Sequence, residues 1–206
     1  LTTEIISDVF KHVKTLKRVG HFNKVITGNG GSTSFLRLNV RYGSVNILIA
    51  PNVAVVKGKE KAYKENAFIW GEKDARFIYG RSEDRSVLDD DEGRFPDIIV
   101  ITTDSLKLLY KQIIKMPIDK VLVDESHATI YQSRHRSVLT DFSGWIEKNV
   151  SDATIVFMTA TPTYHTQDDV KIKYTNRKDL NGYSVSLTQD QEILKNSMVE
   201  NYKNGE

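Results

Sequence analysis

Short aliphatic and β-branched runs alternate with longer amphipathic stretches along most of this chain, and this alternation constrains the fold more than any other feature. The short runs occupy 24–27, 45–50, 76–79, 97–101, 120–123 and 154–158. The amphipathic stretches include 53–66, 105–115 and 137–148. Apolar runs separated by helical periodicity are typical of a parallel sheet that is covered on both faces. The sequence therefore predicts a doubly wound α/β fold with a mostly parallel central sheet of six strands.

The two ends of the chain depart from this alternation. Residues 3–18 carry apolar side chains at helical spacing behind Thr2 or Thr3 as N-cap, which predicts an amphipathic helix. After Pro162 the pattern weakens, with a polar stretch and then a short strand expected at 183–187. We expect three parts: an N-terminal helix (1–20), a main domain (21–165), and a connector that begins a second domain (166–206).

Charge and composition exclude several classes of protein. With 29 Lys and Arg against 27 Asp and Glu the net charge is only +2, so a bulk polycation is excluded and any nucleic-acid surface must be local. The absence of cysteine excludes disulfides, thiolate metal sites and cysteine nucleophiles. The acidic stretch 82–95 is expected to form an exposed loop. No run is long enough to span a bilayer, so we expect a cytoplasmic protein without a membrane partner. Because the chain opens on Leu1, we also expect a fragment of a longer protein.

A glycine-rich segment follows the first predicted strand and opens a predicted helix. Its residues are Thr27, Gly28, Asn29, Gly30, Gly31, Ser32 and Thr33. Glycines allow backbone N–H groups to approach an anion, and the N-terminus of a helix adds partial positive charge. The segment is a candidate phosphate site, although glycine-rich turns between strands and helices are also common without a ligand.

Two adjacent carboxylates follow the fifth predicted strand, in the sequence Asp124-Glu125-Ser126-His127. Adjacent carboxylates at the end of a buried strand repel each other unless a cation or a proton-transfer role stabilises them. Asp124 is a candidate Mg²⁺ ligand, Glu125 a candidate base for an attacking water, and His127 a candidate relay. The alternative is an exposed helix start, where Asp and Glu cap backbone N–H groups.

Two hydroxyl side chains, Thr159 and Thr161, follow the sixth predicted strand. At the same edge of a sheet they could form hydrogen bonds with the carboxylates or with His127. Alone, the segment could equally be a strand terminator that ends at Pro162.

The order of these three segments resembles the first RecA-like domain of a superfamily 2 helicase or translocase of the DExH type, over residues 22–162. The resemblance makes Gly28 to Ser32 the Walker A loop, Asp124 and Glu125 the Walker B pair, and Thr159 to Thr161 the motif that couples hydrolysis to movement. It implies ATP and Mg²⁺ as cofactors, with Asp124 and Ser32 as the metal ligands.

Two further segments match the nucleic-acid motifs of this family. Ala50-Pro51-Asn52 is similar to motif Ia, and the segment from Thr102 to Leu106 is similar to motif Ib. The resemblance implies contacts with a DNA or RNA backbone through Pro51, Asn52, Lys57, Thr102, Thr103 and Ser105. Lys59, Lys61 and Lys64 lie on the same predicted helix as Lys57, where the alternative is a solvated face.

The sequence departs from the family pattern at Gly31, which stands where the phosphate-binding lysine is expected. Three explanations remain: a non-hydrolysing relic, a substitute cation such as Lys24 or Arg37, or a divergent lysine-free branch similar to some helicase-like proteins of bacterial viruses. We favour the divergent branch, because a domain that had abandoned ATP has no chemical reason to keep both carboxylates.

The family places its arginine fingers on a second RecA-like domain, which this chain has no room for. From these residues alone we therefore expect weak nucleotide binding and little turnover. The sequence predicts the ATP-binding motor domain of a helicase or translocase. The alternative is a catalytically inactive RecA-like module kept for nucleic-acid or protein binding, while a small-molecule kinase is disfavoured.

Overall fold

A computed structural model of the chain describes residues 1–16, 18–24, 28, 30–65, 73–80, 93–128, 142–161, 170–174 and 183–186. Within these residues the chain forms one eight-stranded sheet, in the order β3-β4-β2-β5-β6-β1-β7-β8. The strands are β1 Val19–Asn23, β2 Val45–Ala50, β3 Ala75–Ile78, β4 Ile98–Thr102, β5 Ile118–Asp124, β6 Thr154–Thr159, β7 Val170–Tyr174 and β8 Tyr183–Ser186. All adjacent pairs are parallel except β7 with β8.

The described helices connect these strands. They are α1 Thr3–Leu16, α2 Gly31–Leu36, α3 Val53–Glu65, α4 Thr103–Ile113 and α5 Phe142–Asn149. The hydroxyl of Thr2 accepts a hydrogen bond from the backbone N–H of Ile5 at 3.4 Å, as predicted for the N-cap of α1. No helix in the described ranges is both long and apolar enough to cross a membrane.

The sheet separates two apolar cores. On one face α1, α2 and α3 pack on alternate strand residues such as Leu48, Leu122 and Val156. On the other face α4 and α5 pack on the intervening residues, such as Ile47 and Val121. Because every residue of β2, β4 and β6 is buried, these strands need the continuous apolar sequences that identified them. The predicted α/β fold with helices on both faces of a mostly parallel sheet is confirmed.

Two strands of the structure do not follow from the sequence pattern. Val19–Asn23 forms β1, because this segment pairs in register with Ile155 to Thr159 of β6 and buries Phe22 completely. Of the predicted strand 24–27 only Lys24 is described, and it lies directly after β1. The stretch 164–182, predicted as polar connector, contains β7, which pairs with β1 through Phe22 and Asn23. The sheet therefore continues into the segment that we assigned to a connector.

Several predictions concern segments outside the described residues. These are the acidic loop 82–95 over most of its length, the beginning of the predicted helix 137–148, and the amphipathic segment 189–202.

Candidate active site

The carboxyl ends of the central strands bring the predicted chemical residues to one edge of the sheet. Asp124 is the last residue of β5, and it pairs in register with Met158 of the neighbouring strand β6. Thr159 ends β6, and its carbonyl accepts a hydrogen bond at 2.9 Å from the backbone N–H of Lys24, directly after β1. Three adjacent strands thus place Lys24, Thr159 and Asp124 side by side.

Lys24 forms a buried bridge to both candidate Walker B carboxylates. Its Nζ lies 3.2 Å from Asp124 Oδ1 and 2.5 Å from Glu125 Oε1, and its side chain is only 5% exposed. Burial works to lower the pKa of Lys24, but the charges and hydrogen bonds of Asp124 and Glu125 outweigh it and hold this pKa above its ordinary value. The adjacent carboxylates are therefore stabilised by a cation that the chain itself supplies.

Arg37 does not reach this edge. It is exposed at the C-terminal end of α2, and it lines a groove with Asp119, Lys120 and Thr154 at the amino ends of β5 and β6. The hypothesis that Arg37 serves as substitute cation is wrong, because α2 runs from the carboxyl edge of the sheet toward the opposite edge.

The turn after Asp124 has an uncommon backbone geometry. Glu125 has a φ of 49°, in the left-handed region that side chains with a Cβ rarely adopt. Its N–H donates a hydrogen bond to Asp124 Oδ1 at 3.0 Å, and the N–H of Ser126 donates to the Met158 carbonyl at 3.0 Å. The two bonds hold Glu125 beside Asp124 at the end of the strand.

His127 connects this turn to the end of β6. Its Nδ1 shares a hydrogen bond of 2.7 Å with Thr159 Oγ1 and lies 3.3 Å from Glu125 Oε2. The Thr159 hydroxyl also accepts a hydrogen bond from the backbone N–H of Thr161 at 3.0 Å. A continuous polar chain therefore runs from Glu125 through His127 to Thr159 and Thr161.

The glycine-rich segment opens α2 as the sequence predicts, although Thr27 and Asn29 lie outside the described residues. Gly28 and Gly30 have φ values of 71° and 83°, the conformation for which glycine is preferred. Gly31 and Ser32 follow at the first turn of α2. The segment thus has the backbone geometry of a tight turn into a helix N-terminus.

Close packing explains why glycine occupies position 31. A Cβ on Gly31 would lie 2.7 Å from Sδ and 2.9 Å from Cε of Met158, which is completely buried. A side chain at position 31 would therefore require the end of the Met158 side chain to shift.

A lysine of α3 reaches the beginning of α2. The Nζ of Lys59 donates a hydrogen bond to Thr33 Oγ1 at 2.6 Å. Burial lowers the pKa of Lys59; the Asp124 carboxylate acts in the opposite direction, and the Lys24 ammonium adds to the lowering. The sequence placed Lys59 only on a lysine-rich helix face, because helical periodicity does not show that this side chain crosses to α2.

The motif Ia and Ib residues line a single groove of about 580 Å³ at the same edge of the sheet. Its walls include Pro51, Asn52, Thr102, Thr103 and Ser105. Thr102, Thr103 and Ser105 are largely buried, and Thr102 Oγ1 donates a hydrogen bond to Ser105 Oγ at 3.0 Å. Asn52 is exposed, and its Oδ1 caps α3 by accepting from the Val55 N–H at 3.0 Å.

Lys57 lies outside the lining of this groove. Its Nζ is 5.5 Å from the centre of the Tyr79 ring, next to Gly80 of the groove wall. The fold therefore brings five of the six predicted nucleic-acid residues into one groove, and the sixth, Lys57, lies at its margin.

Asp124 and Ser32 carry oxygen donors of the type that Mg²⁺ prefers. No group of three His, Asp or Glu side chains able to hold a metal exists in the described part of the chain. However, Mg²⁺ is usually held by one or two carboxylates together with substrate phosphates and waters. The Asp124 carboxylate already lies against a cation, the Lys24 ammonium, and Ser32 offers a hydroxyl at the start of α2.

The class of protein follows from this geometry. A doubly covered parallel sheet with a glycine turn that opens a helix after β1, and an acidic pair that ends β5 two positions away in the sheet, has the arrangement of a RecA-like nucleotide-binding domain. The chain matches the family described as "Type III restriction enzyme, res subunit" over residues 4–164, and it belongs to that family. No curated protein matches this chain.

Solved helicase structures share the fold at low sequence identity. The helicase MrfA is 14% identical with a TM-score of 0.51, covering 77% of this chain and 26% of its own. The Mycobacterium smegmatis helicase Lhr, bound to ssDNA and AMP-PNP, is 16% identical with a TM-score of 0.52. The match covers 80% of this chain and 23% of the Lhr chain. S. cerevisiae Dbp5, bound to Gle1 and IP6, is 16% identical with a TM-score of 0.53. The match covers 79% of this chain and 42% of the Dbp5 chain. The chain thus spans less than half the length of each.

Proposed function

We propose that this chain is the ATP-binding motor domain of a nucleic-acid helicase or translocase. The observation that carries the proposal is the convergence of the glycine turn, the Asp124–Glu125 pair and the His127–Thr159 contact at one edge of the sheet. Membership of the family and the helicase fold support the same function.

The roles of the acidic residues follow from their contacts. Asp124 and Ser32 would hold Mg²⁺, which neutralises phosphate charge when it is bound. Glu125 Oε1 accepts the hydrogen bond from Lys24, whereas Oε2 accepts no hydrogen bond from the described residues. Oε2 is buried and lies 3.3 Å from His127 Nδ1. We assign the Glu125 carboxylate as the group that accepts a proton from the attacking water, while Lys24 compensates its charge.

The chain from Glu125 to Thr161 is a route for coupling. His127 contacts both Glu125 and Thr159, so a change at the carboxylate also changes the environment of the residue that ends β6. We assign Thr159 and Thr161 the role of transmitting the state of the nucleotide site toward the segment that follows β6.

The groove lined by motifs Ia and Ib is the proposed path of a DNA or RNA backbone. The N-termini of α3 and α4 both lie at this groove, and helix N-termini favour phosphate groups. Asp104 also lines the groove and offsets part of this positive potential. We assign Lys57, at the margin of the groove, as a charged contact for the backbone phosphates.

A second candidate is an inactive RecA-like module that binds nucleic acid or protein. Two observations favour it: the end of Met158 packs against Gly31, and the ammonium of Lys24 already compensates the charge of both carboxylates. The two candidates differ in whether nucleotide binding changes the affinity for nucleic acid.

Fluorescence anisotropy with labelled single-stranded DNA and RNA, with and without Mg²⁺ and AMP-PNP, tests the proposal. A motor domain should show affinities that differ by about 5-fold or more between the two nucleotide states. Lys57→Met should weaken binding and reduce the salt slope by about 1. Lys115→Met, an exposed lysine beyond the other end of α4, is the matched control and should change neither.

Two results would count against the motor. Nucleic-acid binding that is indifferent to nucleotide supports the inactive module. The absence of binding to both oligonucleotides in all states contradicts both candidates as nucleic-acid proteins.

A further inference from the structure

The missing lysine leaves the glycine turn without a cation for the β- and γ-phosphates. Backbone N–H groups and a six-residue helix supply only partial charges, whereas a triphosphate needs full positive charges close to its terminal oxygens. In the part of the chain that the structure describes, two ammonium groups interact electrostatically with Asp124, those of Lys24 and Lys59. Lys24 already forms ion pairs with Asp124 and Glu125.

Lys59 differs from the other lysines of its helix. Lys61 and Lys64 are 75% and 70% exposed and pair with Glu65 and Glu60. Lys57 lies over the Tyr79 ring. Lys59 is half-buried, and among the described residues it has a hydroxyl partner, Thr33, but no carboxylate partner. A hydroxyl does not neutralise an ammonium group, and the charge of Asp124 only partly offsets the effect of burial on the pKa of Lys59, which stays below its ordinary value.

The position of the Lys59 ammonium relates it to the nucleotide site. Thr33 directly follows Ser32, so the Nζ of Lys59 lies 2.6 Å from a residue in the first turn of the helix that the glycine segment opens. The same ammonium interacts with Asp124, the candidate Mg²⁺ ligand. The site that would receive terminal phosphates thus has a cation on the side of α3.

We propose that Lys59 supplies the phosphate-binding positive charge that the glycine segment lacks, reaching from α3 to the terminal phosphates of a nucleoside triphosphate. This inference rests on the proposed function. The packing of Met158 against Gly31 fits it, because a side chain at position 31 would displace the end of Met158, while a neighbouring helix carries an ammonium group. Lys59 is then a binding residue whose contribution depends on the number of phosphates.

Calorimetric titration of the whole chain with Mg²⁺ and AMP-PNP, ADP or AMP tests this role. Lys59→Met should weaken AMP-PNP binding by about 10-fold or more, the order of one charged hydrogen bond. It should change AMP binding little. Lys59→Arg, which keeps the charge, should recover most of the loss. The matched control Lys61→Met, on an exposed part of the same helix, should leave all three affinities unchanged.

The possible failures are distinguishable. If Asp124→Asn weakens AMP-PNP binding but Lys59→Met does not, the role of Lys59 is wrong and the proposed function stands. If Lys59→Met weakens AMP and AMP-PNP equally, its effect is on the shape of the site and the phosphate role is also wrong. If the unmodified, folded chain binds none of the nucleotides, both the ATP site and the role of Lys59 are overturned.

Discussion

At the scale of single residues, Lys24 determines whether two adjacent carboxylates can be buried together. We predict that Lys24→Met lowers the free energy of unfolding by about 3 kcal/mol at neutral pH, because it leaves Asp124 and Glu125 without their cation. Urea denaturation measures this change. Lys24→Arg should retain most of the stability, and an unchanged midpoint for Lys24→Met would contradict the buried bridge.

The pH dependence of this bridge has a definite sign. The folded-state pKa of Lys24 is raised above its ordinary value of 10.5, so its stabilisation is fully present below pH 10.5. It is lost as the pH rises through the folded-state pKa. The unmodified chain should therefore lose stability at alkaline pH more steeply than Lys24→Met does.

The packing at Gly31 leads to a separate prediction about the stability of the fold. Gly31→Ala should destabilise the fold by about 1 kcal/mol, because the overpacking against Met158 exceeds the gain in helix propensity. Thermal unfolding of Gly31→Ala, Met158→Ala and the double variant measures the coupling. The double variant should be more stable than the sum of the single changes predicts, and strict additivity would show that the two positions do not compete for space.

The sequence could identify residues whose chemistry is local, but it could not identify the partners of residues that make a distant contact. Asp124, Glu125 and His127 adjoin a strand and can be recognised from their neighbours. The role of Lys59 depends on its contact with Thr33, 26 positions away, and that of Lys24 on carboxylates 100 positions away. The periodicity of side chains along the sequence does not show contacts between distant positions.

At the scale of elements, β1 shows where sequence patterns fail. Its sequence Val19–Asn23 contains glycine, histidine and asparagine, which do not resemble a buried strand. It forms a strand because it lies between β6 and β7 in the sheet. The central strands β2, β4 and β6 could be predicted, because burial on both faces requires continuous apolar residues.

The position of β1 can be tested by truncating its central side chain. Phe22→Ala should lower the free energy of unfolding by about 3–5 kcal/mol, because Phe22 is completely buried in the core beneath α1. Urea denaturation measures the loss. The control Phe95→Ala, at a side chain that is 39% exposed, should cost far less. Equal effects would be inconsistent with a strand at Val19–Asn23.

The contact between β6 and the turn after β5 makes another prediction at this scale. Thr159→Val keeps the shape of the side chain but removes the hydroxyl that contacts His127, and it should cost about 1–2 kcal/mol. Urea denaturation measures the cost, and the NMR signals of the His127 ring should shift. The control is Thr161→Val, which loses a 3.4 Å contact between the two threonine hydroxyls but keeps the backbone bond to Thr159 and the contact of Thr159 with His127. Unchanged His127 signals in Thr159→Val would rule out this contact.

At the scale of the whole molecule, the carboxyl edge of the sheet combines two sites. The proposed nucleotide site lies over β1, β6 and β5, and the motif Ia and Ib groove lies over the adjacent strands β2 and β4. A parallel sheet therefore places the two proposed sites side by side at one edge. The chain spans a quarter to two fifths of the compared helicases, and we propose that a second RecA-like domain completes the ATP site.

The central claim is that a glycine turn without lysine still forms a nucleotide site with Asp124. Calorimetric titration of the folded chain with AMP-PNP, with and without Mg²⁺, beside Asp124→Asn and Glu125→Gln, tests it most directly. We predict measurable Mg²⁺-dependent binding that Asp124→Asn weakens by about 10-fold or more and Glu125→Gln changes little, because Glu125 acts on the attacking water. Binding that is absent, or equal with and without Mg²⁺ in all three proteins, would contradict the claim.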